Sequence, residues 1–534
     1  MFDKNALEHP DEYMKSLMGV NKKITGSYDE SKAIKCPNGT FVGEECEGIL
    51  SFKGIPYAYQ PVGDRRWKDA VLLPETDEVF EAKYFGKTSV QPVTHHEISS
   101  LYLMGEECLN LNIWTDKSSV NGKKAVMMFI HGGAFMFGGA VDPTYDGQEF
   151  IEAHRDVVLV TISYRVGILG FADLEKLEGS EEYKDSCNFG LTDQIAALKW
   201  IQRNISAFGG DPDNVTIFGE SAGGGSVSSL CLVPAAKGLF RRIIAESGAI
   251  GLTFSREYMR DNTALYFESK NIKNMADALA LNWEELVSNF QPAPMRDTKE
   301  LPYATLEESY EAFKTGFSKD LDIMTGTNND ESRYFIFTQG GEAVYKEQED
   351  AKVDLRLSFV PKEMQPALLD IMTDGNGNIT VEGHLKLEDD VVFHGPSFMQ
   401  AEKHAEGTGS GKTYVYGFTT ESHIDPKKHG GFLGACHGVE LTYVFGTIDN
   451  PMVGGPDQSK EFSDKVQEMW TNFAKTGDPS IEGFEWPQFN SENWNVAILD
   501  DGKYGGIRLS HDFKKDEYLN FKPYCCYNII EAGL

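Results

Sequence analysis

Apolar runs and amphipathic stretches alternate along the middle of the chain. Ala125–Ile130 (AVMMFI) is continuously apolar and Val157–Tyr164 (VVLVTISY) nearly so, as expected of strands buried on both faces of a parallel sheet. Leu191, Ile195, Leu198, Ile201 and Ile205 then recur at helical steps, which predicts an amphipathic helix ending at Gly209-Gly210 before Asp211-Pro212. A β-branched and aromatic run, Val215 to Phe218, predicts the next strand, small residues from Ala222 onward a helix, and Arg241 to Ala245 a further strand that ends in Glu246-Ser247-Gly248. Strand, helix, strand, helix, strand in this order implies right-handed crossovers and an α/β architecture, a mostly parallel sheet with helices on both faces.

The flanks read differently. Residues 1 to about 33 form a polar arm with one short helix, and Thr40 to Tyr59 alternates apolar and polar residues around glycines, which predicts antiparallel hairpin strands at a sheet edge. Pro61 to His96 has prolines, aromatics and little periodicity, the pattern of a long surface loop walling a cleft, and Leu109, Leu111, Ile113 and Trp114 mark a strand after it. From about Ser255 to Met372 the pattern is helical and charged, with Met275, Leu279, Trp283 and Leu286 at helical spacing and one short strand, Leu321 to Thr325, inside it. Tyr414 to Phe418 resumes the sheet, and His437 immediately precedes the apolar-periodic Val439, Leu441, Tyr443, Val444 and Phe445. The organisation predicted is one domain over 1–534 with a helical insertion at about 255–372.

Composition narrows the function. A formal charge of −32 spread along 534 residues argues against nucleic acid or an anionic membrane as partner, because either demands a basic surface. No apolar run reaches the ~18 residues of a membrane span, and the N-terminus shows no apolar stretch of signal-peptide length. The eight cysteines are thinly scattered without a C-x-x-C pair, which predicts reduced thiols in a reducing, cytoplasmic setting. Histidines and cysteines show no zinc spacing. Gly407 to Thr413 (GTGSGKT) misses the first glycine of a phosphate loop, where Glu406 stands, and leads into a strand instead of a helix. Asp374-Gly375-Asn376-Gly377 mimics part of a calcium loop, but the first and twelfth ligand positions fall on Met372 and Gly383. Neither a cofactor nor a metal is expected.

Candidate chemistry lies at strand ends. Gly219-Glu220-Ser221-Ala222-Gly223 sits between a strand and a helix, the setting of a nucleophile elbow, in which the flanking glycines let strand and helix pass closely. The alternative is a glycine-rich connection with an incidental serine. His131-Gly132-Gly133-Ala134-Phe135 follows the apolar run ending at Ile130; peptide N–H groups bare of side chains there can approach a developing oxyanion. A merely tight turn would read the same. Asp330 and Glu331 follow a short strand, well placed to face a cleft, and His437 opens a helix, where a histidine is often structural. The set, serine then acid then histidine, decides for catalysis, since this is the chain order of α/β-hydrolase triads.

In these residues and the stretches around them, the chain resembles the type-B carboxylesterase and cholinesterase family of the α/β-hydrolase fold. The matching stretches are FKGIPYA (Phe52 to Ala58), EECLNLNIW (Glu106 to Trp114), HGGAF, NFGLTDQIAALKWIQRNISAFGGDPDNVTIFGESAGG (Asn188 to Gly224), NDE (Asn329 to Glu331) and HGVELTYVFG (His437 to Gly446). The resemblance implies a hydrolase of small-molecule neutral esters with Ser221 as nucleophile, Glu331 as acid and His437 as general base. It also implies Gly132, Gly133 and Ala222 as oxyanion-hole donors, with Ser247 and Glu220 beside the triad. Departures from the pattern matter too. Val90 stands where secreted members carry the partner of the cysteine matching Cys108; the segment between Val90 and Glu106 lacks the tryptophan with which cholinesterases hold a quaternary ammonium; and the family's DEG becomes Asp330-Glu331-Ser332. Two other functions fit the same fold: a non-catalytic binding protein, which the retained Ser221 disfavours, and a hydrolase of amides, lactones or thioesters.

Overall fold

The apolar runs become the centre of a sheet. The computed structural model describes residues 10–92, 101–288, 290–425, 432–448, 455 and 457–533. Its strands, in chain order, are β1 (Lys23–Ile24), β2 (Ala33–Cys36), β3 (Gly39–Val42), β4 (Glu44–Cys46), β5 (Ile49–Pro56), β6 (Val79–Glu81), β7 (Asn110–Asp116) and β8 (Lys124–Ile130). They continue with β9 (Val157–Ile162), β10 (Gly210–Glu220), β11 (Arg242–Glu246), β12 (Asp322–Asn328), β13 (Thr413–Phe418), β14 (Val496–Leu499) and β15 (Arg508–Ser510). Among the described residues eleven of them form one sheet in the order β15-β14-β13-β12-β11-β10-β8-β9-β7-β5-β4. The strands from β14 to β9 run parallel, and the edges, β15 on one side and β7, β5 and β4 on the other, are antiparallel. Every residue of β8 and β9 is buried, which is why their sequences carry no polar alternation. This is the α/β-hydrolase architecture.

Three expectations are refined. The Thr40 to Tyr59 run is shared between two sheets: β3 joins β1, β2 and β6 in a separate four-stranded sheet, while β4 and β5 make the edge hairpin of the large one. Gly43, at the crossing, lies so close to the Ser51 carbonyl that a Cβ there would overlap it. The described part of Pro61 to His96 is pinned to the body and contributes nothing to the wall of the cavity beside Ser221; residues 93–96 lie outside the described residues. Arg66 explains the pinning, with a bidentate pair to Glu106 (2.6 and 2.8 Å) and bonds to the carbonyls of Ala278, Leu279 and Leu281. The helical insertion is two excursions separated by β12, and helices continue past Met372 through Val381–Glu388, a π-helix Asp389–His394 and Gly395–Ala405 to β13. At the would-be calcium loop, Asp374 Oδ1 accepts the N–H groups of Asn376 and Asn378 and makes an ordinary turn between helices.

The connections fix where a ligand can sit. From β8 the chain moves to β9 on one side, then returns through α1 (Phe189–Asn204) to β10 on the other side of β8. The crevice beyond the carboxyl ends of two such neighbouring strands is the switch point where open α/β sheets bind ligands. β8 ends at Ile130 and β10 at Glu220, with Ile130 in register with Gly219. Phe129 of β8, Phe218 of β10 and Phe445 of α3 (Val439–Phe445) form a ring cluster with centroids 4.9 to 5.9 Å apart. Each such pair contributes ~0.5–1.5 kcal/mol beyond its buried area, and together they dock the helix after His437 against the strands that carry the two glycine turns.

Candidate active site

Ser221 sits at the junction of β10 and α2 (Ala222–Leu230) with φ 58° and ψ −122°. A non-glycine residue held there costs ~1–3 kcal/mol and persists only where the surroundings enforce it. Here Ser221 N–H donates to the Glu246 carbonyl at 2.9 Å, and the Ser221 carbonyl accepts from Gly225 N–H at 2.9 Å. A Cβ on Gly219 would come 2.6 Å from the Ile130 carbonyl oxygen, and one on Gly223 would overlap that same atom. The two flanking glycines of the sequence motif are therefore required by close backbone approach.

Beside the elbow lies the second glycine turn. Gly133 has φ 100°, and a Cβ on Gly132 would stand 2.8 Å from the Glu220 carbonyl oxygen. His131 is fully buried; its Nδ1 lies 2.8 Å from the Gly132 carbonyl, its ring stacks on Tyr164 at 4.5 Å, and Tyr164 OH donates back to the His131 carbonyl at 3.0 Å. Burial pushes the His131 imidazole down to about 4, so it stays neutral and braces the turn. Ala222 opens α2, where the first amides of a helix lack an intrahelical acceptor.

The acid and the histidine meet 106 residues apart in sequence. His437 Nδ1 is 2.7 Å from Glu331 Oε2. The other oxygen, Oε1, accepts from Ser247 Oγ at 2.6 Å and from the Asn328 N–H at 2.7 Å. Glu331 is fully buried, and three partners spread over its two oxygens fix the carboxylate and hence the face of the imidazole it meets. Asp330 turns the other way: its N–H donates to the Ala435 carbonyl and its Oδ2 accepts the Ala435 N–H at 3.1 Å, bracing the loop before His437.

Glu220 has a partner that sequence reasoning left out. Its Oε1 lies 3.0 Å from His437 Nε2, and among the described residues no hydrogen bond joins the Ser221 hydroxyl to that nitrogen. Burial alone would lower the His437 pKa; the Glu220 charge and the Glu331 hydrogen bond overcome it and hold it up, to about 9. Burial likewise pushes the Glu220 carboxyl up, to about 7, against the pull of the imidazole. The resemblance places Glu220 beside the triad, but no local pattern names His437 as its partner.

These groups open onto a cavity of about 200 Å³. Its wall includes Gly132, Gly133, Ser221, Ala222 and His437 together with Tyr334, Phe335, Val392 and Phe393. Phe393 packs against the His437 ring at 4.7 Å and Phe335 at 5.7 Å. Tyr334 and Phe335, three and four residues after Glu331, lie at helical spacing from it and were legible in principle; Phe393, on the π-helix, has no local signature. Among the described residues the lining holds three carboxylates, Asp142, Glu220 and Glu388, and no lysine, arginine or tryptophan. All seven tryptophans of the chain are elsewhere, six buried and Trp283 packed on the core. The segment whose missing tryptophan was noted runs partly through 93–100, outside the described residues. Among the described residues no three His, Cys, Asp or Glu side chains are grouped to hold a metal ion, and no helix is long and apolar enough to cross a membrane.

Comparison with known proteins gives the chain's family. The profile of the Carboxylesterase family matches residues 30–519. The chain is 34% identical over 486 residues to para-nitrobenzyl esterase of Bacillus subtilis (strain 168), covering 86% of this chain and 93% of that enzyme. It is 31% identical over 509 residues to the liver carboxylesterase of Sus scrofa, covering 86% and 87%. A solved thermophilic PNB esterase superposes with a TM-score of 0.79 at 30% identity, covering 92% of this chain and 99% of that one. An elbow serine, a buried acid–histidine pair and a glycine turn at the switch point of such a sheet thus stand in a chain that belongs to the carboxylesterase family and is an ester hydrolase.

Proposed function

We propose that the ester hydrolysis runs through an acyl-serine intermediate on Ser221. His437 takes the hydroxyl proton on Nε2 as Ser221 Oγ bonds to the ester carbonyl carbon, and the oxyanion is met by the N–H groups of Gly132, Gly133 and Ala222. Collapse expels the alcohol, which leaves with the proton from His437. Water then attacks the acyl-serine with the same nitrogen as base and releases the acid. Glu331 holds Nδ1–H, fixing the tautomer and stabilising the imidazolium. The observation that carries this reading is the strained Ser221 on the same cavity wall as a histidine bonded to a fully buried carboxylate. The eight unpaired cysteines, Cys108 among them, support a reducing, cytoplasmic setting.

Glu220 gives the reaction a pH signature. Neutral Nε2 is the working form, so kcat/KM rises with pH through the His437 ionisation, and a carboxylate against Nε2 displaces that rise upward. Glu220→Gln removes the charge and moves the acid limb of the kcat/KM profile to lower pH, by about one unit or more. A limb that stays in place, or moves to higher pH, refutes the coupling.

The substrate reading follows from the lining. Glu220 is engaged by His437, Asp142 by Tyr102 OH at 2.8 Å and the Thr144 N–H at 2.9 Å, and Glu388 by Tyr345 OH at 2.7 Å. No tryptophan face is available to a quaternary ammonium, a contact worth ~2 kcal/mol or more when desolvated. Neutral esters of short to medium acyl chains are the preferred substrates. The test compares kcat/KM for a neutral ester and a choline ester of the same acyl group: the neutral ester is expected to be hydrolysed faster, and the reverse order overturns the assignment.

A further inference from the structure

The turn that carries Glu331 is gripped from two sides. Toward His437 it is held by the paired Asp330 and Ala435 bonds and by His437 N–H donating to the Glu331 carbonyl at 3.2 Å. On the opposite side Ser332 N–H donates to Asp389 Oδ1 at 2.8 Å. Ser332 is fully buried and is not among the residues of positive φ. The serine that replaces the expected glycine therefore adopts ordinary backbone, and the Asp389 Oδ1 oxygen satisfies an amide that is cut off from water. Asp389 is also the first residue of the π-helix Asp389–His394, whose Phe393 lies against the imidazole. Single-turn π segments recur at functional sites. A second tie, Thr327 Oγ1 to His394 Nδ1 at 2.8 Å, fastens the same π-helix to β12, the strand that leads into Glu331.

We propose that Asp389 is a positioning residue for the triad: as acceptor of the Ser332 N–H it fixes both the turn that presents Glu331 to His437 and the segment that sets Phe393 on the His437 ring. The inference rests on Glu331 acting as the triad acid. It deepens that reading by assigning the alignment to a residue on a separate helical segment that touches neither substrate nor imidazole. Removing the acceptor frees a buried amide and lets the turn relax, and a displacement of about 1 Å in a catalytic group costs up to ~10²-fold in rate.

The test uses the full chain, with turnover normalised to active sites counted by an organophosphorus titrant. Asp389→Ala is expected to lower normalised kcat for a neutral ester by about tenfold or more with KM within about twofold, while Asp389→Asn, whose amide oxygen still accepts the N–H, stays within about threefold of wild type. Asp389→Glu keeps the carboxyl group but shifts the acceptor by one methylene, and is expected to fall between them; it decides the matter if the alanine variant does not fold. The proposal is overturned if the alanine and glutamate variants turn over within twofold of wild type, if asparagine loses as much as alanine, or if the loss lies in KM alone. Glu331→Gln measured in parallel separates the two levels. An active Glu331→Gln removes the triad reading itself, whereas a dead Glu331→Gln beside unaffected Asp389 variants removes only this inference.

Discussion

Ser221→Ala abolishes ester hydrolysis and leaves the protein folded. Loss of the elbow nucleophile from a triad costs about 10⁶-fold in kcat where it has been separated from binding, so the variant is expected at the background rate of ester hydrolysis under saturating substrate. The fold is expected to be unaffected because the backbone strain at φ 58° is carried by both serine and alanine, and the constraint is imposed from outside by Glu246, Gly225 and the glycines packed on the Ile130 carbonyl. The Ser221 side chain makes no hydrogen bond to another described residue, so alanine leaves no group unpaired. Three measurements check this together: turnover of a neutral ester, covalent labelling by an organophosphorus reagent located by peptide mass, and the melting temperature. Labelling confined to the Ser221 peptide in the wild type and absent in the variant, with Tm unchanged within a few degrees, is the expected outcome. Residual activity above about 1% of wild type, far above what triad loss leaves, refutes the assignment.

Most of what locates the candidate site was readable from the chain, because it depends on local pattern. Buried central strands announce themselves as unbroken apolar runs, and the two turns of the candidate site as glycines at strand ends, since close backbone approach admits nothing larger at Gly219 and Gly223. The order serine, acid, histidine then selects the members of the set. What was not readable is what depends on side chains meeting across distant segments. The Glu220 contact with His437 Nε2, the seating of Phe393 on the imidazole and the Asp389 bond to Ser332 each join residues 44 to 217 positions apart, and no periodicity encodes them. The division of Thr40 to Tyr59 between two sheets was hidden for a related reason: alternation reports that a strand has one buried face, not which sheet it joins.

Glu331→Gln inactivates the enzyme while Asp330→Asn does not. The two acids are adjacent, and sequence alone preferred Glu331 by its longer reach and by resemblance. The geometry supplies an independent argument. Glu331 Oε2 meets His437 Nδ1 at 2.7 Å, and Oε1 takes donors from Ser247 and Asn328. A glutamine there must place an NH₂ on one of those two sides. Turned toward Ser247 and Asn328, it opposes their donors; turned toward His437, it demands an acceptor at Nδ1 and drives the proton to Nε2, the nitrogen that has to accept from Ser221. Wrong tautomer with intact geometry costs about 10⁴-fold in kcat in the serine-protease case. Asp330, by contrast, gives Oδ2 to the Ala435 N–H and the Asn329 amide and holds Oδ1 3.8 Å from Arg333 Nε at the half-exposed edge of the turn, and an asparagine oxygen keeps the Ala435 bond. Its variant is expected to stay within about tenfold of wild type, because any effect must pass through the loop before His437. Measuring kcat of both variants on one neutral ester, with the melting temperature of each, settles the assignment: a dead Asp330→Asn beside an active Glu331→Gln would transfer the role to Asp330, and equal losses in the two would mean that the turn as a whole, not one carboxylate, sets the tautomer.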